Sequence, residues 1–287
     1  MNTLSIGTAN FAQNYGLTQN VNGLDELELS KIFEKLNAEK EIGIDTSPSY
    51  GESEKVLGSF LKKSNFRGKI TTKIPIGFYG SANSIAKSLE LSLKNLGLES
   101  VHCTLLHGFD EKLLENHRQI IKGLEIILSN GFTKTIGLSC YTEREVLLSK
   151  KVIPQLSVFQ VPENVIDQRL RNSETLKKLS IEGNSFYVRS IFLQGKILAQ
   201  SETFHAKLSG LRQVVKSVEN SARTHGLSKL EYCVSYAKSL TWSSGIVVGI
   251  DSTNQLVEIL EANTRHYPNM MFEKQDFDQD LIDPRTW

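Results

Sequence analysis

The sequence predicts an α/β protein: a single closed (β/α)8 TIM barrel, with residues 1–287 forming one domain. Three observations carry this. Short β-branched runs alternate with segments of helical periodicity, the pattern of parallel strands joined by crossover helices. Eight such runs occur. No linker rich in Pro, Gly or Ser and no shift in composition divides the series.

Taken in order, the first strand is expected at LSIGTA (4–9), followed by DELELSKIFEKLNAEK (25–40). That segment repeats apolar residues every three or four positions and opens on acids, as a helix N-terminus favours. EIGIDT (41–46) is the second strand, and IDTSPSYGESEKVLG (44–58) carries the chain from Asp45 through Tyr50 into a glycine turn and a new helix. KITTKI (69–74) is the third strand. SANSIAKSLELSLKNLG (81–97) then reads as a helix opening on Ser and closing on Gly. VHCTLLH (101–107) is the fourth strand, and DEKLLENHRQIIKGLEIILSNG (110–131) a helix closing on Gly. The remaining strands are expected at KTIGLS (134–139), QLSVFQ (155–160), SFYVRS (185–190) and GIVVGI (245–250). Residues 191–206 make a longer connection, expected as a lid or insertion beside the mouth, and 264–287 a tail crossing the barrel.

Composition bounds the function. Hydrophobic residues make up 39% and charged residues 23%, so the chain has enough apolar surface to fold. A net charge of +1 without long runs of one sign gives no electrostatic reason to expect nucleic acid or an anionic membrane as partner. No apolar run approaches the roughly 20 residues that span a bilayer. The N-terminus lacks the order of a secretory signal. Cys103, Cys140 and Cys233 are widely spaced, with no CxxC pair. Neither a disulfide framework nor a zinc site is indicated, and a reducing cytoplasm is expected.

In a barrel of this kind, side chains at the C-terminal strand ends face the active-site mouth. Those ends hold Gly7-Thr8-Ala9-Asn10, Asp45, Lys73, His107, Ser139, Gln160, Arg189-Ser190 and Gly249-Ile250-Asp251. An acid, a lysine and a histidine on three consecutive strands suggest proton chemistry. A lysine held by a carboxylate keeps its charge, and that charge favours ionisation of a nearby phenol. Asp45 would hold Lys73, and Lys73 would make Tyr50 a better proton donor than a tyrosine with its ordinary pKa of roughly 10. His107 would add a hydrogen bond to the oxygen served. Singly, each has a plainer explanation: Tyr50 as a turn aromatic, Asp45 as a cap, His107 as a structural histidine.

The stretch IDTSPSYGESEKVLG resembles the second-strand signature of the aldo-keto reductases, and Lys73 in KITTKI and His107 in TLLHG match the next two strands. GTANF, GLSCY, FQ and VVGIDSTNQLVEIL fall where that family has cofactor segments, so the resemblance runs over nearly the whole chain. It implies a catalytic tetrad of Asp45, Tyr50, Lys73 and His107, with Tyr50 as general acid while hydride from NADP or NAD reduces an aldehyde or ketone. It also implies an extended dinucleotide, and the chain has neither GxGxxG nor GxxxxGK[ST]. Gly7 and Thr8 lie in the first cofactor segment; Ser139 and Gln160 would hold the carboxamide. Arg189 stands where the family commonly stacks an aromatic on the ring, and Ser190 with the 192–195 loop would approach the pyrophosphate. Gly249, Asp251, Ser252, Gln255 and Glu258 would hold the adenosine end.

The chain departs from the family pattern in three places. Cys140 replaces an Asn, Ile259 replaces another, and the last segment has Gly249, Asp251 and Gln255 where NADP-using members carry Lys or Arg. An acid there favours a free ribose hydroxyl over a phosphate, although backbone N–H groups or Arg265 could serve the phosphate. The expected partner is a small carbonyl compound. GTANFAQNYGL and VRSIFLQG are similar to a bacterial branch associated with surface-polysaccharide sugars, so a sugar-like substrate is expected. Phe11, Gln13, Asn14, Tyr15, Phe78, Tyr79, Phe109 and Trp287 are candidates for the mouth. Two alternatives stay open: a Schiff-base barrel aldolase using Lys73, and a catalytically weak cofactor-sensing subunit.

Overall fold

In the computed structural model, residues 3–12, 24–39, 41–200, 209–268 and 270–273 are described. Among these, eight parallel strands close into a barrel in sequence order, with the last pairing the first. The strands are β1 (Thr3–Gly7), β2 (Gly43–Asp45), β3 (Ile70–Ile74), β4 (Val101–Leu106), β5 (Thr133–Ser139), β6 (Val158–Pro162), β7 (Ser185–Arg189) and β8 (Gly245–Gly249). The helices are α1 (Glu26–Ala38), α2 (Ser53–Lys63), α3 (Ala82–Leu96), α4 (Glu111–Glu115), α5 (His117–Ser129), α6 (Glu143–Val152), α7 (Glu174–Ile181), α8 (Ser209–Thr224), α9 (Lys229–Ser239) and α10 (Thr253–Thr264).

Alternation along the strands divides the apolar from the polar positions. Ile6, Ile44, Ile74, Leu106, Leu138, Phe159, Phe186 and Ile246 all belong to the large apolar core shared with the helices. The intervening positions face the barrel axis, where a small cluster of Cys103, Leu105 and Val158 packs with Tyr187. Polar residues on that inner set are therefore carried into the barrel by strand parity. Register then levels them: Gly7 lies opposite Asp45 and Gly249, Lys73 opposite Leu105, and Ser139 opposite Gln160.

Local chemistry sets the element ends. Asp25 caps α1 by accepting from the Glu28 N–H, Ser81 forms a capping box with Ser84, and Gly97 ends α3 at φ 65°. The expected helix over 110–131 is broken into α4 and α5 at Asn116, whose backbone (φ −100°, ψ 13°) leaves the helical region. The sixth strand starts later than the expected 155, because the chain is still turning after Pro154, and it ends on Pro162. Of the expected 191–206 connection, 191–200 forms turns; 201–206 lies outside the described residues, as does most of the 264–287 tail. No helix among the described residues is long and apolar enough to cross a membrane.

Candidate active site

The short β2 ends at Asp45, whose carboxylate is buried inside the barrel mouth beside the equally buried Lys73 of β3. The Lys73 ammonium donates to Asp45 Oδ1 and, at 2.9 Å, to the Thr46 carbonyl. Gln160 of β6 donates from Nε2 to the second carboxylate oxygen at 2.5 Å. Asp45 is thus an internal countercharge, not a helix or turn cap. Burial alone would push Lys73 below its ordinary range, but the adjacent Asp45 carboxylate and Tyr50 phenol more than offset it and hold the ammonium above that range.

Tyr50 is placed by the turn that leaves β2. Its N–H donates to the Ser47 carbonyl, Gly51 follows at φ 58°, and the Ser53 N–H at the start of α2 donates back to the Tyr50 carbonyl. A side chain at Gly51 would have to adopt the left-handed conformation that glycine enters freely. The turn brings the Tyr50 ring centroid to 5.1 Å from Lys73 Nζ and to 5.8 Å from the His107 ring, the two rings lying at 86°.

His107 follows β4 and is anchored through its N–H to the Ile74 carbonyl. Its Nδ1 lies 3.0 Å from Ser47 Oγ, which itself accepts the Ser49 N–H at 3.1 Å. A hydroxyl can donate to a ring nitrogen or accept from one, so this contact fixes the plane of the ring and not which nitrogen carries its proton. Burial, with Lys73 and Arg189 nearby, pushes the imidazole down to about 3. His107 is therefore neutral at physiological pH, with one ring nitrogen a donor and the other an acceptor.

These four side chains line one end of a cavity of about 500 Å³. Gly7, Ser139, Gln160, Arg189, Ser190, Gly249, Asp251 and Gln255 line it as well, as do Phe192, Gln194 and Gly195 from the 192–195 loop. Thr8, Ser252 and Glu258 are not among its lining residues. The Thr8 hydroxyl is buried on Thr46 Oγ1 at 2.8 Å, Ser252 caps α10 by accepting the Gln255 N–H, and Glu258 lies further along that helix.

Arg189 is held at the wall of the cavity. Its guanidinium lies 4.4 Å from the Tyr141 ring centroid and donates to the Cys140 carbonyl at 3.2 Å and to Ser190 Oγ at 3.4 Å. Asn164 Nδ2 donates to the Ser190 carbonyl at 3.1 Å, fixing a residue with φ 61°. Leu193 and Gln194 also have left-handed backbone, at φ 48° and 54°. Three non-glycine residues in this region, each costing on the order of 1 kcal/mol, mark a loop whose shape the surrounding contacts impose.

The cavity suits a molecule that bears both hydrogen-bond donors and acceptors alongside apolar surface. On the wall shared with Tyr50 and His107, Arg189 Nε is a buried donor without a hydrogen-bond partner, and the buried Asn10 Oδ1 is an acceptor without one. A nicotinamide dinucleotide carries matching groups, and the residues present fit it.

Several expected mouth residues lie elsewhere. Phe11 is buried against Phe33 of α1, and Tyr79 is fully buried with its hydroxyl on the Gly108 carbonyl, so both serve the core. Phe78 and Phe109 pack on the same core. Gln13, Asn14, Tyr15 and Trp287 lie outside the described residues. Arg265 cannot serve a ligand at the start of α10. It caps the other end of that helix, about 18 Å away at 1.5 Å per residue, and is paired with Glu231 at 2.5 Å. Ser47 and Tyr141 were not singled out from sequence, although one lies within the Asp45–Tyr50 stretch and the other directly follows Cys140.

The fold and this constellation define a (β/α)8 barrel protein with a buried acid–lysine pair, a phenol and an imidazole at its mouth. The chain belongs to the aldo/keto reductase family, whose model matches residues 3–276. Among solved structures, it is similar to glycerol dehydrogenase AKR11B4 from Gluconobacter oxydans, with 18% identity over 93% of each chain and a TM-score of 0.67. It is also similar to the thermostable aldo-keto reductase Tm1743, with 16% identity over 94% of this chain and 92% of that one, TM-score 0.71. PA4992 from Pseudomonas aeruginosa is 20% identical over 91% and 89% of the two chains, TM-score 0.68. At these identities the likeness shows the fold. Comparison with curated proteins returns no match.

Proposed function

We propose that this chain reduces an aldehyde or ketone to the alcohol, with Tyr50 as the general acid and NADH or NADPH as the hydride source. The observation that carries the reading is the buried Asp45–Lys73 pair beneath Tyr50, with the neutral His107 ring across from it. The bound dinucleotide would supply hydride to the carbonyl carbon. The remaining chemistry belongs to the chain's own groups. The Tyr50 hydroxyl delivers its proton to the carbonyl oxygen as negative charge develops there. His107 Nε2–H donates a second hydrogen bond to the same oxygen, and its neutrality means that it orients the substrate without competing as the acid. Lys73 stays protonated beside the phenol because Asp45, itself held by Gln160, provides the countercharge.

Ser139, Gln160, Arg189 and Ser190 would hold the nicotinamide and pyrophosphate end, and Gly249, Asp251 and Gln255 the adenosine end. The polar wall, including Asn10, Tyr141 and Gln194, suits a polyhydroxylated, sugar-like carbonyl compound. The Schiff-base alternative needs Lys73 to lose its proton, and the raised ammonium opposes that.

The test is reduction of a panel of aldehydes followed by NADH and NADPH absorbance, repeated with Tyr50→Phe. Turnover should fall at least ~100-fold in the variant, the order for a lost general acid. Rates like those of the unmodified chain would refute the role. Borohydride trapping of a carbonyl compound on Lys73 would favour the aldolase.

A further inference from the structure

We propose that Glu28 of α1, acting with Asp251, restricts the far end of the cavity to an unphosphorylated ribose, so that the chain binds NAD(H) in preference to NADP(H). This rests on the oxidoreductase reading, because it takes the ligand to be a nicotinamide dinucleotide whose reacting ring lies by Tyr50 and His107. The rest of such a molecule must run along the cavity towards Gly249, Asp251 and Gln255.

Two side chains at that end, Asn10 and Asp251, present acceptors. Asn10 donates from Nδ2 to the Ile250 carbonyl at 3.2 Å, which directs its buried, unpartnered Oδ1 away from that bond and marks it as an acceptor awaiting a donor. Asp251 adds a carboxylate. A ribose diol offers hydroxyl donors to such groups, whereas a 2′-phosphate brings further acceptor oxygens and about two negative charges.

The start of α10 would ordinarily compensate, since the exposed N–H groups of a helix N-terminus attract phosphate. Here protein acceptors already occupy two of those in the first turn. The Thr253 N–H donates to the Glu28 carboxylate, the Gln255 N–H to Ser252 Oγ at 3.1 Å, and the neighbouring Asp251 N–H to Gln255 Oε1 at 2.9 Å. Glu28 therefore sits where a phosphate would dock, carrying the same sign of charge. The Thr253 N–H bonds also keep its carboxyl below the usual range, so that it stays ionised. Among the described residues lining the cavity, the cations Lys73 and Arg189 lie at its catalytic end. Lys31 lies 3.7 Å from Glu28 and is paired with it.

Isothermal titration of the 287-residue chain with NADH and with NADPH, in the same buffer and salt, tests this without an activity readout. NADH should bind at least ~10-fold more tightly. Glu28→Gln should raise NADPH affinity about fivefold or more, since it removes one negative charge and leaves Lys31 unpaired, while NADH affinity stays within about twofold. Asp251→Asn should also raise NADPH affinity, but at some loss for NADH. Equal or tighter NADPH binding by the unmodified chain overturns the inference and leaves the oxidoreductase reading standing. An unchanged preference in Glu28→Gln overturns the role given to Glu28. Failure of both dinucleotides to bind overturns both readings, and the two titrations of the unmodified chain decide even where a variant misfolds.

Discussion

Neutral burial of His107 has a consequence for stability that can be worked out. In the unfolded chain the imidazole takes up a proton near 6.5; in the folded chain burial, Lys73 and Arg189 delay this to about 3. Below pH 6.5 the unfolded state therefore binds the extra proton and the folded state does not. The contribution of His107 is fully present above pH 6.5 and is lost as pH falls towards 3. At pH 5 the ratio of the two protonation factors is about 32, which is about 2 kcal/mol lost between pH 8 and pH 5 from this one group.

The perturbation is His107→Gln, which keeps an amide N–H donor and removes the titration. Urea unfolding followed by tryptophan fluorescence, at pH 8 and pH 5 and constant ionic strength, gives four stabilities. Other titrating groups cancel in the double difference. The unmodified chain should lose about 2 kcal/mol more than the variant across this interval. Parallel losses would show that the ring is protonated as readily in the folded state as in the unfolded one, and would refute the neutral ring. The same neutrality predicts that carbonyl reduction shows no inflection from His107 above pH 5.

Two further substitutions probe buried charge. Asp45→Asn leaves the Lys73 ammonium enclosed without its countercharge and should destabilise the chain by about 3–5 kcal/mol, seen as a lowered urea midpoint; a midpoint equal to that of the unmodified chain would contradict the pairing. Glu163 is fully buried, accepting the Tyr236 hydroxyl at 2.5 Å and the Leu170 N–H at 2.9 Å, and burial pushes its carboxyl up to about 8. Its stabilisation is present below pH 4.5 and lost as pH rises through 8. From pH 5 to 9 the unmodified chain should therefore lose about 4 kcal/mol relative to Glu163→Gln, and equal pH slopes would rule this out.

How much of the barrel could be read in advance follows from the range of each interaction. Strand alternation, helix periodicity and the Ser and Gly stops of α3 arise within a few residues, so the order of elements and the fold class were legible. So was the set of strand ends from which Asp45, Lys73 and His107 project, because parity along a strand decides which side chains point inward. The break at Asn116 was hidden, since the apolar spacing on either side continues as though one helix ran through it. Phe11 and Tyr79 were misplaced because an aromatic after a strand reads alike whether it turns to the mouth or to the core.

The amino-acid order by itself determined a (β/α)8 barrel, the turn through Gly51 that presents Tyr50, and the acid, phenol, amine and imidazole available to the mouth. Only the closed tertiary structure decided their partners. Gln160 reaches Asp45 across 115 residues and Glu28 reaches the start of α10 across 225. Arg265, near the cofactor segment in the chain, is a helix length away from it in space. Such pairings depend on barrel closure and on the levels at which strands meet, which set neighbours without regard to their separation along the chain.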